Sequence, residues 1–299
     1  MSALTTIGLP VALGIIMFGL GLSLTLGDFA RVLKQPKAVI IALLCQLIAL
    51  PAICFGLVLA FQLPPVLAVG MMMLAASPGG TTANLYSHLF RGDVALNISL
   101  TAVNSVVAVF TLPIITNLAI VYFNPFDDQL GLQWSKTLEV FAIVLLPVAI
   151  GMVVRRFWPK FADAMDKPVR IASVVILVVV IAGAVASNWT LLVANFAQLA
   201  LITVVFCLIS LTVGYLVPRW LRVGKRQAIA ASFEIGIHNA TLAIVIAQSV
   251  LGSKELSLPA AVYGVLMFFI AFGFGFLIRD RSDAAAAVRA DEPEQPAAV

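Results

Sequence analysis

Residues 71–93 read MMMLAASPGGTTANLYSHLFRGD, an apolar helical run that Pro78, Gly79 and Gly80 interrupt. Proline lacks an amide hydrogen and glycine weakens a helix, so we expect one helix to end here and another to start after it. A kink with locally repaired hydrogen bonds is the alternative. The polar cluster TTAN at 81–84 favours the break. Unwound backbone inside a membrane requires surrounding protein or a water-filled cavity, and polar side chains are suited to line such a cavity. The amide hydrogens that start the second half-helix would attract an anion.

The composition around this break is that of a membrane protein. Of the 299 residues, 62% are hydrophobic and 11% are charged, with a mean hydropathy of +1.09. Soluble domains are about half apolar and about a quarter charged. Because the positions of Lys and Arg follow the membrane topology, the net charge of +4 does not indicate a nucleic-acid partner.

Apolar runs long enough to cross the bilayer as helices recur along the chain. We expect about nine membrane spans and an all-α polytopic membrane protein. The spans lie at roughly 7–26, 38–60, 64–90 with a break, 94–123, 135–156, 168–187, 196–218, 226–251 with a break, and 257–278. The first run lacks a preceding basic residue and a cleavage pattern, so we interpret it as a retained span.

The basic residues alternate with the spans. Of the 18 Lys and Arg residues, all except Lys136 and Lys254 lie after odd-numbered spans or in the C-terminal segment. By the positive-inside rule, the sequence predicts an N-terminus outside and a C-terminus in the cytoplasm, in a multi-pass protein of the inner (plasma) membrane. Residues 282–299 are polar and lack aromatics, which predicts a disordered cytoplasmic tail after a membrane domain at 1–281.

A second interruption lies at residues 233–243, FEIGIHNATLA, where Glu234 falls far from either end of its span. An ionised carboxylate at that depth is unfavourable by several kcal/mol unless a cation or hydrogen bonds compensate it. No Lys or Arg lies at mid-depth in any predicted span, so the countercharge must be a proton or a bound cation. Gly236, His238, Asn239 and Thr241 add a weak point in the helix and several polar groups, and hard cations such as sodium prefer oxygen ligands.

Two further spans contribute amides and a hydroxyl. Asn97, Thr101 and Asn104 are spaced by four and three residues, so they share one helical face, and Gln46 lies among aliphatic residues in span two. A lone buried amide is more often a link between helices, and only the convergence of several such groups favours a site. Broken helices in separate halves of a polytopic protein indicate a secondary transporter with inverted repeats and a midplane site.

At these residues the sequence resembles the bile acid:sodium symporter family, from about Leu13 to Ile278. The resemblance is carried by LGIIMFGLGLSL, PKAVIIALLCQLIALP, SPGGTTANLYSHLFRGDVALNISLT and FEIGIHNATLA. It implies a transmembrane transporter domain at 1–281 in the nine-span form, with two broken, crossing helices. A core of spans two, three, four, seven, eight and nine would move against a panel of spans one, five and six.

The resemblance also implies the ligands of one or two coupling sodium ions where the broken helices cross. One site would use the side chains of Asn84, Asn97, Thr101 and Glu234 with the carbonyl of Ala83. The second would use Gln46, Glu234, the carbonyls near Ile235 and Ile237, and the side chain of His238. The substrate would face Gly79, Gly80, Thr81, Thr82, Asn239 and Thr241.

Two positions depart from the family pattern. Glutamine is common in the family where this chain has His238, and imidazole is a poor sodium ligand that titrates near neutral pH. Met267 and Phe268 stand where bile-acid-binding relatives carry polar residues. The predicted substrate is therefore an organic anion, either bile-acid-like or a smaller carboxylate such as a keto acid or pantoate.

The sequence leaves two alternatives to sodium-coupled symport. Protons rather than sodium could drive transport through Glu234 and His238. An intramembrane enzyme could use the same two residues, spaced i, i+4, as metal ligands or as an acid and base, although Gly236 between them argues against a regular helix. We favour a transporter over an enzyme. The oligomeric state is not determined by the sequence, which is compatible with a monomer.

Overall fold

A computed structural model describes residues 8–124 and 134–280, and the predicted tail at 282–299 lies outside this part of the chain. The described residues form thirteen α-helices and no strand, which confirms the all-α class. The helices are α1 Leu9–Ser23, α2 Leu26–Arg31, α3 Pro36–Leu44, α4 Leu50–Ala60, α5 Pro65–Ala76, α6 Thr81–Leu89, α7 Val94–Phe123, α8 Trp134–Phe157, α9 Pro159–Ser187, α10 Trp189–Trp220, α11 Lys225–Gly236, α12 Ala240–Val245 and α13 Leu258–Ile278.

Several helices have the length and composition of membrane spans. Within the described residues, five continuous helical segments qualify, at Pro36–Ala60, Val94–Phe123, Pro159–Ser187, Trp189–Trp220 and Glu255–Ile278. A sixth qualifies if Leu9–Ser23 and Leu26–Lys34, which are bent by 65°, form one span. The chain is thus a multi-pass membrane protein, while the count of nine spans, the inverted repeat and the orientation of the termini remain predictions.

Two helical pairs are interrupted where the sequence predicts a break. The first gap separates α5 from α6, and it contains Pro78, which cannot donate a backbone hydrogen bond. The second gap separates α11 from α12 and spans residues 237–239. There Asn239 caps α12, because its Oδ1 accepts a hydrogen bond of 3.0 Å from the Leu242 amide. Proline and glycine therefore end the first halves, and polar residues begin the second.

A π-helical segment at Cys45–Ala49 joins α3 to α4 and carries Gln46. Pro51 follows this segment, and its ring would clash with the carbonyl of Leu47, four residues earlier, in a regular α-helix. Widening of the helix relieves that clash, and such insertions are frequent at functional sites. The sequence predicts an uninterrupted span at 38–60, so the π segment is a feature that the structure adds.

The helices pack in two groups. Helix α1 lies mainly against α8 and α9, with the backbones of Gly21 and Gly151 in such close approach that a side chain at either would clash. The other group contains α5, α7, α10, α11 and α13, which pack on one another. The division of the chain into a panel and a core that move against each other stays a prediction.

Asp93 connects three elements at the start of α7. Its carboxylate accepts hydrogen bonds from the Leu96 amide at 3.0 Å and from Gln35 Nε2 at 3.2 Å, while its amide donates to the Arg226 carbonyl at 2.8 Å. Replacing Asp93 by Ala removes the N-cap, and we expect a loss of about 1 kcal/mol of stability, observed as a lower melting temperature in detergent. Asp93→Asn, which keeps a capping oxygen, should lie within a few tenths of a kcal/mol of the wild type. Equal melting temperatures for all three proteins would contradict this role.

Candidate ion and substrate site

The two helix breaks lie against each other inside the protein, and we call this contact the crossing. Gly79 and His238 pair as an isolated antiparallel bridge, and the Asn239 amide donates to the Pro78 carbonyl at 2.8 Å. Each break therefore supplies hydrogen-bond partners for backbone that the other leaves without helical bonds. This mutual pairing allows two unwound segments to exist inside the protein.

The carboxylate of Glu234 lies at this crossing and is only 2% exposed. Thr101 Oγ1 donates to its Oε2 at 2.6 Å, and Asn104 Nδ2 lies 3.4 Å from its Oε1. The backbone amide of Gly79 donates to the same carboxylate. The α7 face predicted from the spacing of 97, 101 and 104 therefore does meet Glu234, through its second and third residues.

Several side-chain oxygens around the crossing have no hydrogen-bond donor among the residues that the structure describes. These buried acceptors are Gln46 Oε1, Asn84 Oδ1, Asn97 Oδ1 and Asn104 Oδ1. The amide nitrogens of Gln46 and Asn97 are occupied, donating to the Ser77 carbonyl at 3.0 Å and the Ala230 carbonyl at 2.8 Å respectively. An isolated buried acceptor is unfavourable, and several of them on the elements that pack around a buried carboxylate provide the oxygen ligands that a hard cation prefers.

No basic side chain neutralises Glu234 within the described part of the chain. The ion pairs there are Arg31 with Asp28, Arg155 with Asp163, and Lys225 with Asp280. The predicted carbonyl ligands Ala83, Ile235 and Ile237 are all fully buried in the same region. The oxygen-rich set therefore fits sodium, whose positive charge would replace a protein cation.

His238 is held in a different way from the other predicted ligands. Its Nδ1 lies 3.1 Å from the Ser77 carbonyl, which also accepts from Gln46. The ring stacks on Phe206 at 5.6 Å and meets Tyr263 edge-on at 5.4 Å, while Tyr263 donates its hydroxyl to the Gly236 carbonyl at 2.9 Å. An imidazole clamped between aromatic rings and a carbonyl offers nitrogen, not oxygen, so this residue fits a sodium site poorly.

Two neighbouring cavities extend from the crossing. The smaller, of about 130 Å³, is lined by both polar and apolar residues. Besides Ser173, it is lined by Gly80, Thr81, Thr82, His238, Asn239 and Thr241. The larger, of about 510 Å³, shares Thr81 and Ser173 with it and reaches Arg155 beyond His88. Five of the six predicted substrate residues thus line the smaller cavity.

Gly79 is the exception among the predicted substrate residues. It does not line either cavity, and a Cβ added there would lie 2.5 Å from Cδ of Glu234. Its position is therefore against the carboxylate. Two residues near the crossing are absent from the predicted site. No sequence signal marks Ser173 in its span, whereas the helical spacing of Asn104 does place it on the face of Asn97 and Thr101.

Known proteins resemble this chain over most of its length. The sequence matches the Sodium Bile acid symporter family over residues 10–195. The chain belongs to this family. It is 27% identical over 263 residues to the Uncharacterized sodium-dependent transporter YocS of Bacillus subtilis, covering 86% of this chain and 78% of that protein. Family membership confirms the resemblance identified in the sequence.

Other relatives in the family come from plants and animals. The chain is 32% identical to the Probable sodium/metabolite cotransporter BASS1, chloroplastic, of Arabidopsis thaliana, covering 85% of this chain but 62% of that protein. It is 24% identical to the human Ileal sodium/bile acid cotransporter, covering 90% of this chain and 78% of that protein. The family description and these names are those of sodium-dependent transporters and not of enzymes. Sodium coupling in general is therefore supported, and the intramembrane enzyme is not.

Proposed function

We propose that this chain is a secondary active transporter that couples the entry of sodium to the uptake of an organic anion across the plasma membrane. The observation that carries the proposal is the buried carboxylate of Glu234 at the two helix breaks, together with buried amide oxygens on the neighbouring elements that lack donors within the described residues. A bound alkali cation neutralises the carboxylate and supplies the missing partner of those oxygens. The N-terminus then lies outside and the C-terminus in the cytoplasm, as the Lys and Arg positions indicate.

In this proposal the first sodium ion binds beside Glu234 on the side of α6 and α7. Its ligands are the side chains of Asn84, Asn97, Thr101 and Glu234 and the carbonyl of Ala83. A second ion would need Gln46, Glu234, the carbonyls of Ile235 and Ile237, and a contribution at His238. Transport is electroneutral with one sodium and a monovalent anion. With two sodium ions it is electrogenic, and each 100 mV adds about 2.3 kcal/mol per net charge.

The smaller cavity is the binding site for the carboxylate of the substrate. It is lined by Thr81 and Thr82 at the start of α6 and by Asn239 and Thr241, and the first amide hydrogens of a helix favour an anion. Met267 lines the cavity with apolar surface at a position where bile-acid-binding relatives carry polar residues. This favours a small carboxylate, such as a keto acid or a pantoate-like compound, over a bile acid.

Ion and substrate are coupled through α6, because the same short helix contacts both. Thr81 and Thr82 line the smaller cavity, while Ala83 is fully buried and Asn84 contributes an oxygen without a donor within the described chain. Binding of sodium fixes the start of α6 and so orders the amides that receive the anion. Alternating access then follows from movement of the group containing α1, α8 and α9 relative to the crossing.

Uptake into reconstituted vesicles tests the coupling ion. We expect an inward sodium gradient at equal pH to drive accumulation of an intact labelled carboxylate, chosen beforehand by a thermal-shift screen with and without sodium. Proton coupling through Glu234 and His238 requires the reverse result, in which only a pH gradient supports uptake. Chemical conversion without accumulation would contradict transport altogether.

A further inference from the structure

Asn104 lies in α7 at the crossing and is 1% exposed. It follows Thr101 by one helical turn, so both side chains face Glu234. Thr101 approaches Oε2 and Asn104 approaches Oε1. Side chains from successive turns of one helix thus contact the two oxygens of the carboxylate.

The orientation of the Asn104 amide follows from the chemistry of its neighbour. An ionised carboxylate only accepts hydrogen bonds, so the amide nitrogen must face Glu234 and Oδ1 must point elsewhere. That Oδ1 is buried and has no donor among the residues that the structure describes. The contact of 3.4 Å is longer than ordinary hydrogen bonds of about 2.7–3.2 Å, so little is lost when the amide turns.

His238 offers no comparable oxygen. Its Nδ1 faces the Ser77 carbonyl, and Phe206 and Tyr263 hold the ring. Between His238 and Asn104, only Asn104 carries an oxygen, the atom that sodium prefers. That Oδ1 lacks a partner within the described structure.

We infer that Asn104 is a further ligand of a sodium ion at the Oε1 side of Glu234, supplying its Oδ1 to the ion. This inference rests on the proposed sodium-coupled function. When the cation approaches Oε1, the Asn104 amide turns, its nitrogen leaves the carboxylate and its oxygen completes the coordination shell. Asn104 thereby replaces the side chain at position 238, which the family resemblance gave as a ligand of the second sodium ion.

A sodium titration of thermal stability tests the role. The full chain in detergent is titrated with sodium chloride at constant ionic strength in choline chloride, and the half-saturating sodium concentration is read from the melting temperature. We expect Asn104→Ala to raise that concentration by about tenfold or more, the scale seen when partners of metal sites are removed. Asn104→Ser, which keeps a smaller oxygen ligand, should recover part of the loss.

The matched control is Ser105→Ala, one residue further along α7. Ser105 is also buried, and its hydroxyl also lacks a partner within the described residues. We expect this variant to leave the half-saturating sodium concentration within twofold of wild type. A purely structural role for Asn104 would lower the melting temperature in choline without moving the sodium midpoint, and that result overturns the inference.

The outcomes separate this inference from the proposed function. A wild-type chain that responds to sodium, together with an unchanged midpoint in both Asn104 variants, refutes the ligand role of Asn104 and leaves sodium coupling intact. If Asn104→Ala does not fold, the midpoint of Asn104→Ser decides alone. A wild-type chain with no sodium response contradicts the proposed function, and the inference fails with it.

Discussion

Replacing Glu234 by Gln is expected to abolish both the sodium-dependent rise in melting temperature and sodium-driven uptake. The substitution keeps the size of the side chain and removes the charge that holds the cation. Breaking a buried ion pair by removing one partner costs about 3–5 kcal/mol, which corresponds to a loss of roughly 100-fold or more in sodium affinity. The measurement is the melting temperature in sodium chloride and in choline chloride, followed by uptake in vesicles.

The same variant should not be less stable in the absence of sodium. A neutral amide at position 234 avoids burial of an uncompensated charge, and it can still accept a hydrogen bond from Thr101. The control is Glu255→Gln, which removes an exposed carboxylate that accepts a hydrogen bond from Ser253 at 3.0 Å. An undiminished sodium shift in Glu234→Gln would show that the carboxylate is not the shared ion ligand.

The features that depend on local chemistry could be predicted from the sequence. Helix α5 ends just before Pro78 and its glycine neighbours, and α11 ends at Gly236. Both ends are predictable because proline and glycine weaken a helix at their own positions. The shared face of Asn97, Thr101 and Asn104 follows from helical periodicity alone. The family resemblance then supplied the predicted role of Asn97 and Thr101 as sodium ligands.

Features that depend on packing over long sequence distances could not be predicted. Gly79 lies against Glu234, 155 residues later in the chain, and no local pattern indicates that contact. Likewise, the enclosure of His238 by Phe206 and Tyr263 depends on how α10 and α13 approach the second break. Pro51 is a local signal for the π segment that precedes it. No local pattern indicates that Gln46 in this segment donates to the Ser77 carbonyl.

Gly79 is therefore a position where the smallest substitution should have a large effect. A Cβ on residue 79 would lie 2.5 Å from both Cδ and Oε1 of Glu234 and 2.6 Å from its backbone oxygen. Backbone cannot yield as a flexible side chain does, so we expect Gly79→Ala to separate the two breaks. Overpacking of this kind costs about 1–3 kcal/mol, and the displaced carboxylate should no longer bind sodium. The measurement is the melting temperature in choline chloride, then in sodium chloride.

The matched control is Gly183→Ala in α9, where an added Cβ meets no atom of the described chain within 4 Å. Alanine favours a helix over glycine by up to about 1 kcal/mol, so this variant should equal or exceed the stability of the wild type. Gly79→Ala should differ from Glu234→Gln as well, because it lowers the melting temperature in choline whereas Glu234→Gln changes only the response to sodium. If Gly79→Ala keeps both the melting temperature and the sodium midpoint of the wild type, the close approach of the two breaks is not required for ion binding.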